Sequence, residues 1–221
     1  MCPLHSITPF SMLDFPGVLS SIFWFSRCNL ECRYCYNPEL LREGGSISLQ
    51  EALNFLDSRV GLLDGVVFSG GEATNFAGIA EWAQEVKKRG FKLKLDTNGT
   101  NKDALKELLD LRLLDYVAID FKGLGARFLE ITGRDFYVRF LDCLELLLAR
   151  DTPFEVRTTV HSGLLSSEDI YAMSEALAAR GDRGEFYLQH FVGDKGTLKP
   201  LGESHRFPLR AEHAGIKLIW R

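Results

Sequence analysis

The chain has 221 residues, 46% of them hydrophobic and 25% charged, with a formal net charge of −4. It is long and apolar enough to bury a real core in a single larger α/β domain. Its slight acidity leaves no electrostatic footprint for nucleic acid, and no apolar run approaches the roughly 20 residues that span a bilayer.

Residues 1–6, Met-Cys-Pro-Leu-His-Ser, show neither the basic nor the apolar stretch of a secretory leader. Three of the five cysteines are clustered, which argues against a disulfide framework and for a reducing compartment. A cytoplasmic protein is expected, with no membrane and no nucleic acid among its partners.

In chain order, Pro9, Pro16 and Gly17 punctuate residues 1–17, which read as a lead-in loop or short hairpin. Residues 18–25 are apolar apart from Ser20 and Ser21 and suit a buried strand. The cysteine loop, 28–35, follows directly. A Gly-rich and charged connection covers 40–46. Ser48 with Glu51 then forms a capping-box pattern ahead of a helical stripe made by Leu49, Ala52, Leu53 and Leu56.

The pattern repeats. A short strand at 65–68 ends in Ser69-Gly70-Gly71-Glu72, and a helix at 79–88 stops at Gly90. Residues 91–95 alternate apolar and basic, as a strand does, and end in Asp96-Thr97-Asn98-Gly99. A helix at 102–111 leads to a strand at 116–119, which ends in Asp120-Phe121-Lys122-Gly123. Helix 137–150 carries Phe140, Leu141, Leu144, Leu147 and Leu148 on one side. Strand 154–160 carries Glu155 and Arg157, helix 167–179 is capped by Ser166 or Ser167, and strand 185–191 contains Gln189 and His190. A loop at 200–208, a short helix at 209–214 and a last strand at 216–220 complete the reading.

Strands alternating with helices mean βαβ units and a parallel sheet. About six such units fit, too few for a closed eight-stranded barrel. In a barrel-like parallel sheet the polar segments 28–35, 69–72, 96–99 and 120–122, each following a strand, share the rim where ligands bind.

Each segment has a chemistry. Cys28, Cys32 and Cys35, spaced C-x3-C-x2-C, would hold an iron–sulfur cluster, with one iron left open for want of a fourth ligand. Zinc is an alternative that wants a fourth Cys or His, and plain buried cysteines are another. Gly70 and Gly71 would let backbone approach a ligand, beside Glu72 as an acceptor, or else form an ordinary turn. Asp96-Thr97-Asn98-Gly99 reads as a turn or as a helix cap. Asp120 and Lys122 would share a cation, orient a substrate or form a salt bridge. Arg157 inside a strand needs a polar rim or a partner, and Gln189 or His190 near a strand end is a candidate ligand contact. Cys143 and Cys2 carry no chemistry in this reading.

The triad, with Tyr34 before its third cysteine, resembles the signature of radical S-adenosylmethionine (SAM) enzymes, and Ser69–Glu72 resembles that superfamily's glycine motif at the expected distance along the chain. More narrowly, residues 7–17 together with the loop ending Tyr36-Asn37-Pro38 resemble anaerobic ribonucleoside-triphosphate reductase activating proteins. Residues 95–99 and 118–122 resemble glycyl-radical-enzyme activases more widely, including the pyruvate formate-lyase activase.

The resemblance implies a partial (β/α)6 barrel of TIM type, with 1–221 as one radical SAM core domain. It implies one [4Fe-4S] cluster on Cys28, Cys32 and Cys35, with SAM held by Tyr34, Gly70, Gly71, Glu72, Asn98, Arg157 and Gln189 or His190. Asp96, Thr97 and Asp120 would line a monovalent-cation site beside SAM, and Lys122 would contact SAM or that site. The implied activity is reductive cleavage of SAM to a 5′-deoxyadenosyl radical that installs a glycyl radical on anaerobic ribonucleotide reductase. Reduced flavodoxin or ferredoxin would donate the electron. Many close relatives carry His where this chain has Tyr36, which loosens the substrate assignment and leaves a small-molecule or peptide radical SAM enzyme of the 7-carboxy-7-deazaguanine synthase type as the alternative.

Overall fold

The computed structural model describes residues 2–41, 44–193 and 196–221. Its contacts divide the chain into two compact units, neither continuous in sequence. The first comprises 1–29, 39–97 and 101–118, and the second 30–38, 98–100 and 119–221.

In the first unit, β1 (Leu4–Ser11) runs antiparallel to β2 (Ser20–Phe25). β2 pairs parallel with β3 (Gly65–Gly70), and β3 with β4 (Lys92–Thr97). Three helices alternate with these strands: α1 (Leu49–Asp57), α2 (Ile79–Lys88) and α3 (Lys102–Asp110). The Ser48–Glu51 capping box is formed at α1, with the Ser48 N–H donating to Glu51 Oε2 at 2.8 Å. β2 and β3 are almost wholly buried, as continuous apolar strands covered on both faces should be. The core here is aromatic: Phe25 lies 5.0 Å from Phe68 and 5.8 Å from Trp82, ring centre to ring centre.

β5 (Tyr116–Asp120) begins in the first unit and ends in the second. The second unit continues with α4 (Gly125–Thr132), α5 (Tyr137–Leu148), β6 (Phe154–Val160), α6 (Ser167–Ala178) and β7 (Glu185–His190). β8 (Glu212–His213) and β9 (Ile216–Trp220) follow. β6 pairs parallel with β7 and β7 with β9, while β8 runs antiparallel to β9. Phe121 and Phe140 stack at 4.6 Å in this unit's core. The parallel strands and intervening helices expected from the sequence are present, and among the described residues no helix is long and apolar enough to cross a membrane.

Three local expectations are corrected. Residues 4–11 form a full strand where a lead-in loop or hairpin is expected. Pro9 is accommodated because the register shifts between Thr8 and Ser11, so the ladder does not require its missing N–H. The short helix expected at 209–214 is instead the start of a hairpin. Ala214 (φ 52°) and Gly215 (φ 80°) both take left-handed conformations, which suit the tight turn joining β8 to β9. Finally, α4 is a helix where the sequence pattern shows none. It is short, and Gly123 and Gly125 at its start read as turn residues.

Candidate functional site

In the first unit the glycine motif is packed onto the root of the cysteine loop. β2 ends at Phe25, and Arg27 (φ 68°) turns the chain into Cys28. The Gly71 N–H donates to Phe25 O at 2.8 Å and the Glu72 N–H to Arg27 O at 2.8 Å. A Cβ at Gly71 would lie 2.1 Å from Arg27 O, and one at Gly70 (φ 110°) would lie 2.5 Å from Phe25 O. Both positions exclude a side chain because backbone lies against them.

Glu72 is 2% exposed. Its Oε1 accepts from the Thr74 N–H at 3.2 Å, the Thr74 hydroxyl at 2.6 Å and the Thr97 hydroxyl at 2.8 Å. This carboxylate therefore ties the end of β4 to the turn after β3. Asp96, one residue before Thr97, accepts from Ser69 Oγ at 3.2 Å on Oδ2 and is ion-paired through Oδ1 with Lys94. In the sequence the basic residue at 94 reads only as strand alternation. The strand period places it on the same face as Asp96, and its side chain is 2% exposed.

The second unit holds the remaining predicted residues. Asn98 Oδ1 accepts from the Thr100 N–H at 3.1 Å and the Thr100 hydroxyl at 2.6 Å, closing the turn after β4. Asp120 accepts from Arg157 Nε at 2.6 Å on Oδ1 and from Lys122 Nζ at 3.3 Å on Oδ2. Burial raises the Asp120 pKa, but Arg157 and Lys122 outweigh it by charge and hydrogen bonding and bring the carboxyl from 3.8 down to about 2.

Lys122 also sits over the Tyr34 ring, 5.8 Å from its centre. Tyr34 is 4% exposed, and its hydroxyl is buried without a hydrogen-bond partner among the described residues. Burial pushes that phenol well above its usual pKa, and it pushes the Cys32 thiol up to about 11 against the pull of Lys122. The loop is stapled by its backbone: the Cys35 N–H donates to Cys32 O at 2.9 Å, Arg33 N–H to Ile131 O at 2.9 Å, and Leu198 N–H to Cys35 O at 3.2 Å.

Gln189 and His190 lie at the end of β7, opposite Thr159 and Val160 of β6. The His190 ring is 6.2 Å from that of Trp220, and burial, followed by Arg206, His161 and His205, lowers its pKa.

None of the five cysteines is in a disulfide; Cys32 is buried, and Cys28 and Cys35 are half-buried. Among the described residues no three His, Cys, Asp or Glu side chains are already gathered as a metal cage. The donor set itself fits an iron–sulfur cluster: three soft thiols on one loop, rooted on a steric contact at Gly71 that fixes where Cys28 begins. The set expected to hold a monovalent cation fits poorly, because the acids at 96 and 120 already carry cationic side chains.

A three-thiol loop at the end of a parallel strand, with a glycine pair seated on its root, is the arrangement of an α/β iron–sulfur enzyme. The model of the radical SAM superfamily matches residues 22–177, and the chain belongs to that superfamily, whose enzymes use a [4Fe-4S] cluster and SAM. A Methanocaldococcus jannaschii protein named as a glycyl-radical enzyme activating enzyme is 32% identical over 174 residues, covering 76% of this chain and 72% of that one. The pyruvate formate-lyase-activating enzyme of Clostridium pasteurianum is 32% identical over 132 residues, 54% of each chain. Among solved structures, Streptococcus suis SuiB bound to S-adenosylmethionine has a TM-score of 0.66 at 15% identity, over 82% of this chain and 44% of that one. That likeness shows the fold alone, a mostly parallel α/β sheet of the partial-barrel class. The chain thus spans about half the length of two of these three proteins.

Proposed function

We propose that this radical SAM enzyme is a glycyl-radical-enzyme activase, with anaerobic ribonucleotide reductase as its protein substrate and residues 1–221 as one radical SAM core. The match to the Methanocaldococcus jannaschii activating enzyme, which extends over most of both chains, carries the activase reading; the choice of reductase rests on the resemblance at residues 7–17 and 36–38. When bound, the cluster and SAM supply a radical able to abstract a hydrogen atom from a glycine Cα of the partner.

The chain's own residues do the rest. Cys28, Cys32 and Cys35 hold the cluster. The backbone at Gly70 and Gly71, with Glu72, receives the amino group of SAM. Tyr34, Asn98, Arg157 and Gln189 or His190 shape the remainder of its pocket. Burial of Cys32, 8% exposed, keeps water from its thiol. Reduced flavodoxin or ferredoxin delivers the electron in the cytoplasm.

The test is anaerobic reconstitution followed by incubation with SAM, a reductant and an anaerobic ribonucleotide reductase. A glycyl-radical doublet by electron paramagnetic resonance and release of 5′-deoxyadenosine are expected. 5′-Deoxyadenosine without the doublet would refute the activase reading and leave radical SAM chemistry on another substrate. Cys32→Ala should abolish the cluster absorbance; a retained cluster would refute that ligand.

A further inference from the structure

The resemblance to glycyl-radical activases leads one to expect an exchangeable monovalent cation at Asp96, Thr97 and Asp120, yet each of these side chains is already engaged. In the first unit Asp96 uses one carboxylate oxygen for the Lys94 ammonium and the other for the Ser69 hydroxyl at 3.2 Å. The Thr97 hydroxyl donates to Glu72 at 2.8 Å. In the second unit Asp120 divides its oxygens between Arg157 Nε at 2.6 Å and Lys122 Nζ at 3.3 Å.

Lys94 is the informative member. It is 1% exposed, on a central strand, where an ammonium persists only beside a counter-charge. The register pairs it with Val67 of β3, so Ser69, two residues on, faces Asp96 as Lys94 does from its own strand. The strand period alone brings the acid and the base together.

We propose that Lys94 is a built-in counter-ion for Asp96, so that this chain holds its carboxylate with a tethered ammonium in place of an exchangeable monovalent cation. An ammonium group and a potassium ion carry the same charge and are close in size. The tethered group is present at any salt concentration and loses no translational freedom on docking. Lys94 is a positioning residue: it fixes Asp96, and with it the start of the Thr97–Glu72 contact.

The test compares potassium chloride, sodium chloride and choline chloride at equal ionic strength, reading the thermal midpoint of the full chain rather than its activity. For the wild type the three melting curves should superimpose. A saturable rise of the midpoint specific to potassium or sodium would overturn the proposal. Lys94→Met should create that specific rise, since an ion would then neutralise Asp96. A Lys94→Met chain that melts identically in all three salts, or folds in none, would also overturn it. Lys94→Arg should keep the wild-type indifference to the ion, and a potassium-specific rise in that variant counts against the proposal. None of these outcomes depends on which substrate the enzyme acts on.

Discussion

Arg27 and Gly71 meet backbone to backbone: the Arg27 carbonyl oxygen accepts the Glu72 N–H at 2.8 Å and would lie 2.1 Å from any Cβ placed on Gly71. Arg27 is the residue before Cys28, so the glycine motif sets the position from which the cysteine loop departs. One contact links a steric requirement at 71 to the placement of a thiol at 28.

Gly71→Ala should therefore disturb the protein twice. Overpacking against a fixed backbone costs about 1–3 kcal/mol, read as a lower urea midpoint. The same shift displaces the loop root, so iron bound per chain after reconstitution should fall. A Cβ added at Gly44 would meet nothing within 4 Å, and the backbone there is not left-handed, so Gly44→Ala should change neither quantity.

Thr97→Val removes one of the donors to the buried Glu72 carboxylate. Withdrawing a hydrogen bond from a buried acceptor costs about 1–3 kcal/mol, and valine keeps the shape of the side chain. Chemical denaturation should show a drop of this size, whereas Thr97→Ser, which keeps the hydroxyl, should recover most of it.

Asp120 gives the fold an acid-sensitive component. Its folded pKa, about 2, lies below the ordinary 3.8, so the unfolded chain takes up the proton first as pH falls. The stabilisation is fully present above the ordinary value and is lost as pH drops through the folded one. A shift of that extent corresponds to about 2 kcal/mol. Urea midpoints measured from mildly acidic pH down to the folded pKa should fall more steeply for the wild type than for Asp120→Asn. Replacing Arg157 by Met leaves Asp120 with Lys122 and removes one charge-assisted hydrogen bond, which should cost about 1.5–3 kcal/mol at neutral pH.

The strand–helix alternation is readable in the sequence because periodicity and caps are local: Ser48 with Glu51 is visible within four residues and is formed, and of Ser166 and Ser167 it is Ser166 that caps α6. Gly70 and Gly71 stand out for the freedom they give the backbone. What they approach, Phe25 and Arg27, lies more than 40 residues away and shows only in the fold. Lys94 escapes a sequence reading for the opposite reason. A basic residue alternating with leucines is the ordinary mark of a half-exposed strand, and burial on both faces of β4 is a tertiary fact. Asp120 and Arg157 each stand out separately; their pairing depends on β5 and β6 coming together, which no local pattern states.

Tyr36, the residue that follows the third cysteine, has a defined mechanical role. Its hydroxyl accepts the Val192 N–H at 2.8 Å, and its ring stacks on Phe191 at 5.6 Å and 15°. The residue following the third cysteine is thereby fastened to the segment that leaves β7. Tyr36→Phe keeps the stacked ring and removes the acceptor, which should cost about 1 kcal/mol. Because that acceptor serves the Val192 backbone amide, the loss has a local signature: hydrogen exchange at Val192 should accelerate while amides within β6 and β7 keep their protection. Tyr36→Ala removes the ring as well, so the faster exchange should spread to Phe191. Unchanged exchange at Val192 in Tyr36→Phe would mean that the hydroxyl does not hold this segment.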